Sequence, residues 1–76
     1  DATIELHGID RKGMLHDVSE VISHKLNTNI HQVSFSANDG IFEGRIEIRV
    51  HDREEVRNIM KLLKEINDMQ EVQQIL

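Results

Sequence analysis

Asn38-Asp39-Gly40 lies between two alternating runs, and no other stretch restricts the possible folds of this chain as tightly. Asp-Gly favours a two-residue type I′ turn, because both turn positions need positive φ. Folding the chain about Asp39 and Gly40 tests the register. Ala37 faces Phe42, Phe35 faces Gly44, Val33 faces Ile46 and His31 faces Ile48. On the other side Ser36 meets Glu43, Ser34 meets Arg45 and Gln32 meets Glu47. One face is apolar and the other polar, and a one-residue slip destroys that separation. Phe35 over Gly44 is also reasonable, since a ring can cover bare backbone. His31, on the apolar face near a strand end, is expected to be a partly buried, hydrogen-bonded core histidine.

The flanking segments complete the pattern. Residues 3–9 alternate, with Ile4, Leu6 and Gly8 on one side and Thr3, Glu5 and His7 on the other, as in a half-buried strand. From about Met14 the period becomes helical, with Leu15, Val18, Ile22 and Leu26 as the apolar stripe and an end near residues 27–29. A second helix follows Asp52, an N-cap with Glu55 three residues on as a capping box, and buries Val56, Ile59, Met60, Leu63 and Ile66. Residues 69–76 form a last strand whose poor alternation predicts a bulge or a frayed end. The order β-α-β-β-α-β gives an α+β, ferredoxin-like sandwich. Its four-stranded antiparallel sheet has the order 4-1-3-2, with both helices on one face. The open face carries Glu5, His7, Gln32, Ser34, Arg45, Glu47 and Arg49.

Composition removes several occupants of this fold. The 76 residues suffice for one small domain, and a net charge of −5 argues against DNA or an anionic membrane surface as a partner. Cys is absent, which excludes disulfides and a Cys-x-x-Cys metal loop and suits a cytoplasmic location. The five His show no His-x-x-x-His spacing, so neither a metal site nor a cofactor is expected. Phe35 and Phe42 are the only aromatics, and both point to the core, so the sheet offers no bases a stacking platform. An acylphosphatase-like anion loop would lack a partner to position water. No apolar run is long enough to span a bilayer.

The stretch Asp10-Arg11-Lys12-Gly13-Met14-Leu15, followed by Asp17-Val18 and an apolar helix, resembles the ACT domain, a small regulatory module of this fold. Asn29-Ile30 opening the second strand, Asp39-Gly40 at the hairpin and the run at 45–52 extend the likeness over nearly the whole chain. With Lys12 where other ACT domains carry Pro, the pattern is most similar to the C-terminal ACT domain of long RelA/SpoT-type GTP pyrophosphokinases. The resemblance implies a non-catalytic regulatory domain covering 1–76, cut from a longer chain that makes or degrades (p)ppGpp in the stringent response. A module that only docks proteins or the ribosome, through Arg11-Lys12 and Arg45/Arg49, is the competing reading. The ACT domain of another amino-acid-regulated enzyme is a third.

Gly13 suits a strand-to-helix turn, which needs positive φ or close backbone approach. The same turn is expected to leave the amides of Gly13, Met14 and Leu15 free at a helix N-terminus, where a carboxylate can bind. Asp10 would cap the helix entry. Exposed cations are ordinarily solvated; in the ligand reading Arg11 and Lys12 would also attract the carboxylate. The resemblance adds Asn29 as a partner for the ligand's amino group. The candidate site is therefore Asp10, Arg11, Gly13, Met14 and Leu15 of one copy with Asn29 and Ile30 of a neighbouring copy. Met14 and Ile30 would supply an apolar wall, and the ligand would be a small, preferably branched-chain, amino acid. The second strand is a sheet edge without Pro or Lys, so a homodimer through that edge is expected.

Overall fold

Asp39 and Gly40 both take positive φ, 54° and 80°, and the hairpin closes at the pair Asn38 and Ile41. This hairpin organises a computed structural model that describes residues 1–24 and 29–75, with Asn29 by its backbone alone. The elements are β1 (Ala2–Ile9), α1 (Met14–His24), β2 (Asn29–Asn38), β3 (Ile41–Arg49), α2 (Arg53–Lys64) and β4 (Met69–Gln74). They form one antiparallel sheet in the order β2-β3-β1-β4, the expected ferredoxin-like arrangement viewed from its other edge. Leu26 and the expected end of the first helix lie outside the described residues, as does Leu76.

The core lies between the sheet and the helices. Ile4 and Leu6 of β1 and Ile46 and Ile48 of β3 meet Val18 of α1 and Val56, Ile59 and Leu63 of α2, all of them buried. Asp52 caps α2 by accepting from the Glu55 amide at 2.9 Å. The Glu55 carboxylate reaches back to the His51 amide at 3.1 Å, one residue before the cap, so it secures the approach to the helix.

Three expectations need correction. From residue 32 to the turn the hairpin register is as expected, but a bulge between Ile30 and Gln32 pairs Ile30, not His31, with Ile48. His31 is exposed and is no core histidine. The bulge keeps an isoleucine opposite an isoleucine, where the regular register would have put an imidazole on the apolar face. On α1, Met14 takes the inward position at 1% exposure, whereas Leu15 is 53% exposed. The helix starts one residue out of the expected phase, and one residue is ~100° of rotation. Its buried face is Met14 and Val18, with Val21 and Ile22 packed at the margin. Finally, Asp10 makes no side-chain bond to the helix entry among the described residues; its backbone amide bonds the Gly40 carbonyl at 2.9 Å.

The irregularity expected in β4 is a bulge against β1, where Gly8 pairs with Met69 and His7 with Glu71. A Cβ at Gly8 would lie 2.9 Å from the Asp68 carbonyl oxygen and 3.1 Å from Met14 Cε, so the bulge and the helix entry both require glycine there. The polar face is laced by Arg45 with Glu5 at 3.8 Å and Arg49 with Asp1 at 3.4 Å, and His7 Nδ1 lies 3.6 Å from the Glu71 carboxylate. No helix among the described residues is long and apolar enough to cross a membrane.

A candidate ligand groove beside the first helix

The loop after β1 is fixed from both sides. Hydrogen bonding from Asp10 to Gly40 ties it to the hairpin turn. Arg11 ties it to the opposite turn, with its guanidinium donating to Asp17 Oδ2 at 2.8 Å and to the Asn67 carbonyl at 2.8 Å. The same group lies 3.2 Å from Asp68 Oδ2. Arg11 is therefore only partly solvated and already engaged; two carboxylates compensate its charge, and its position braces the loop. Lys12 is exposed and forms no ion pair among the described residues.

Gly13 adopts φ +88°, so the turn does use the left-handed region that glycine occupies without strain. The helix then starts with Met14 N–H donating to the Arg11 carbonyl at 3.1 Å and Asp17 N–H donating to the Gly13 carbonyl at 2.9 Å. The Met14 amide is thus occupied, contrary to expectation. Among the described residues no backbone carbonyl takes up the amides of Gly13 or Leu15, and these point the positive end of the helix outward.

Beside this loop the apolar face of β2 is only partly covered. Ile30 and Val33 are exposed at 38% and 36%, Ala37 is exposed, and Phe35 is half-buried. Between that face and α1 runs a groove of about 610 Å³. Asp10, Arg11, Gly13 and Leu15 form one wall with His16 and Ser19, and Phe35, Ser36, Ala37 and Phe42 form the floor and the far side. The Phe35 and Phe42 rings meet at 5.4 Å between centroids, tilted by 52°. A mostly apolar trough with a few polar groups at one end suits a small amphiphilic ligand.

Of the residues expected at the site, Asp10, Arg11, Gly13 and Leu15 line the groove. Met14 does not, because its side chain is committed to the core over Gly8. The apolar wall assigned to Met14 is supplied by Leu15, Phe35 and Ala37. Asn29 and Ile30 pair with Arg49 and Ile48 at the other end of the sheet. A ten-residue strand separates them from the loop by about 30 Å within one copy. Antiparallel pairing of two β2 edges would set the start of one strand beside the loop of the other. Phe35, Phe42 and Ala37 were not assigned to the site from sequence, although an aromatic on the apolar side of an edge strand was the available signal.

The sequence pattern of the family described as "ACT domain" matches residues 1–73. The crystal structure of the ACT domain from GTP pyrophosphokinase of Chlorobium tepidum superposes with a TM-score of 0.90 at 31% identity, over 97% of this chain and 95% of that one. Its solution structure gives 0.87 at the same 31% identity, over 97% and 83%. The acetolactate synthase small subunit from Thermotoga maritima shares the fold, with a TM-score of 0.79 at 15% identity over 96% of this chain and 45% of that one. No curated protein matches the chain.

Proposed function

Because the chain belongs to the ACT domain family, whose members are non-catalytic regulatory modules, we propose that it senses a small branched-chain amino acid for a GTP pyrophosphokinase of the stringent response. The observation that carries this reading is the groove between the 10–15 loop and the uncovered face of β2. In it the ligand carboxylate meets the amides of Gly13 and Leu15, with Lys12 adding long-range attraction. The aliphatic side chain lies along Leu15, Phe35 and Ala37. Asp10 closes the polar end. Asn29 and Ile30 come from a second copy paired through β2, and Asn29 receives the ammonium group. Arg11 acts indirectly, by holding the loop. A branched aliphatic chain suits the apolar floor better than a charged one, because a charge there would lose its water without a partner.

Such a shallow site at an interface gives about millimolar affinity, roughly 4 kcal/mol. Ligand binding and pairing of copies are then linked, since the completed site exists only in the pair. The same linkage is what would carry the amino-acid signal to catalytic domains elsewhere in a longer chain.

The docking-only alternative relies on four cations, of which the fold pairs three and leaves Lys12 unpaired among the described residues. Arg11 pairs with Asp17 and Asp68, Arg45 with Glu5 and Arg49 with Asp1. No feature of these patches favours a ribosomal contact over the groove. The test is sedimentation of the domain with and without valine, leucine and isoleucine, alongside NMR titration. Shifts at residues 10–15 and 29–30 with a ligand-strengthened dimer are expected. Shifts confined elsewhere, or none at several millimolar ligand, would reject the site.

A further inference from the structure

Gly44 of β3 sits opposite Leu6 on one side and Phe35 on the other. A Cβ at this position would lie 2.8 Å from Leu6 Cδ1 and 3.0 Å from both Cδ1 and Cε1 of Phe35. The Phe35 ring therefore lies down on bare backbone, in space that any other residue at 44 would occupy. Leu6 is fully buried in the core, with packed neighbours around it. Phe35 is half-buried, on an edge strand, and its free side is the groove. If something grows at position 44, the ring is what moves, and it moves upward into the groove. The depth of the groove floor is thus set by two residues acting as a pair: a ring, and the glycine that lets it lie flat.

We propose that Phe35, seated on Gly44, is the specificity-determining residue of the groove, because its ring sets the height of the floor on which a ligand's side chain rests. This rests on the reading of the groove as an amino-acid site, and it adds what fixes the size of the side chain accepted. The floor beneath a ligand is the Phe35 face backed by Phe42, packed ring against ring. A bulky aromatic ligand gains the most from a lower floor, and a small aliphatic one the least. Removing part of the ring lowers the floor, and lifting the ring raises it.

A purely structural role makes a different forecast. A ring covering a glycine stabilises a sheet whether or not anything binds nearby, so substitutions would alter stability and leave the order of ligand preference unchanged. The ratio of affinities for two ligands separates these cases, because a general loss of folding or of pairing cancels in it. Calorimetric titration of the wild-type domain, Phe35→Leu and Gly44→Ala with alanine, leucine and phenylalanine provides that ratio. Phe35→Leu keeps an apolar side chain on the strand and guards against unfolding. It should move the phenylalanine-to-leucine affinity ratio toward phenylalanine by about tenfold, the scale of a small volume change in an apolar pocket. Gly44→Ala should move the leucine-to-alanine ratio the other way by a similar factor. Binding with unchanged ratios in both variants would overturn the inference and leave the amino-acid site standing. A wild-type domain that binds none of the three would overturn the site itself, and this inference with it.

Discussion

Replacing Arg11 by methionine keeps much of the side-chain volume and removes the guanidinium that fastens the loop. Arg11 is 24% exposed, so its pairs with Asp17 and Asp68 are partly screened and contribute about 0.5 kcal/mol each. The charged hydrogen bond to the Asn67 carbonyl adds about 1 kcal/mol. These groups share one guanidinium and do not add fully, so the expected loss is about 1–2 kcal/mol. A domain of this size has about 4–11 kcal/mol in total. The variant should therefore fold, with a lower urea midpoint. With a slope of about 1 kcal/mol per molar urea, the midpoint falls by about 1–2 M. Asp68→Asn should cost less, and the pair of substitutions should cost less than the sum of the two. A midpoint within about 0.3 M of the wild type would refute the brace. It would also return Arg11 to the set of groups free to meet a ligand.

Further outcomes follow from single features. Gly13→Ala should lower stability by about 1 kcal/mol in a denaturation titration, because φ +88° places a Cβ-bearing residue in the left-handed region. Asp52→Ala should cost about 1 kcal/mol by the same measurement, by removing the bond to the Glu55 amide. Val33→Lys sets a charge on the exposed face of the edge strand and should abolish self-association in sedimentation while circular dichroism stays unchanged. The purified domain should show no turnover of GTP with ATP in a radiolabel assay; measurable product would contradict a purely regulatory role.

The hairpin was legible because Asp39-Gly40 fixes a register that only one pairing of the apolar residues satisfies. The helix phase at Met14 was not. It depends on how tightly the Gly13 turn closes, and both Met14 and Leu15 are apolar enough to face inward. The bulge at His31 left a faint signal, since pairing Ile30 with Ile48 keeps two isoleucines together. Alternation read strictly from the turn overrode it. The brace made by Arg11 was beyond reach: its partner Asn67 lies 56 positions along the chain, and no local pattern announces such a contact. The glycine at the mouth of the first helix was read correctly as a turn, while the groove floor was missed. Phe35 looked like core from its alternation, but an edge strand is covered on that face only where a helix reaches it.

If the site is shared between two copies, two variants that each disable one half of it should restore binding when mixed. Leu15→Glu places a carboxylate on an exposed wall position of the loop, and Asn29→Ala removes the side chain proposed to come from the partner copy. Each variant alone should give no leucine-dependent NMR shifts at residues 10–15. In an equimolar mixture about half the dimers pair one variant with the other, and each of these carries one intact site. About a quarter of the wild-type binding capacity should then reappear. Mixed dimers that form by sedimentation yet bind no leucine would contradict a shared site.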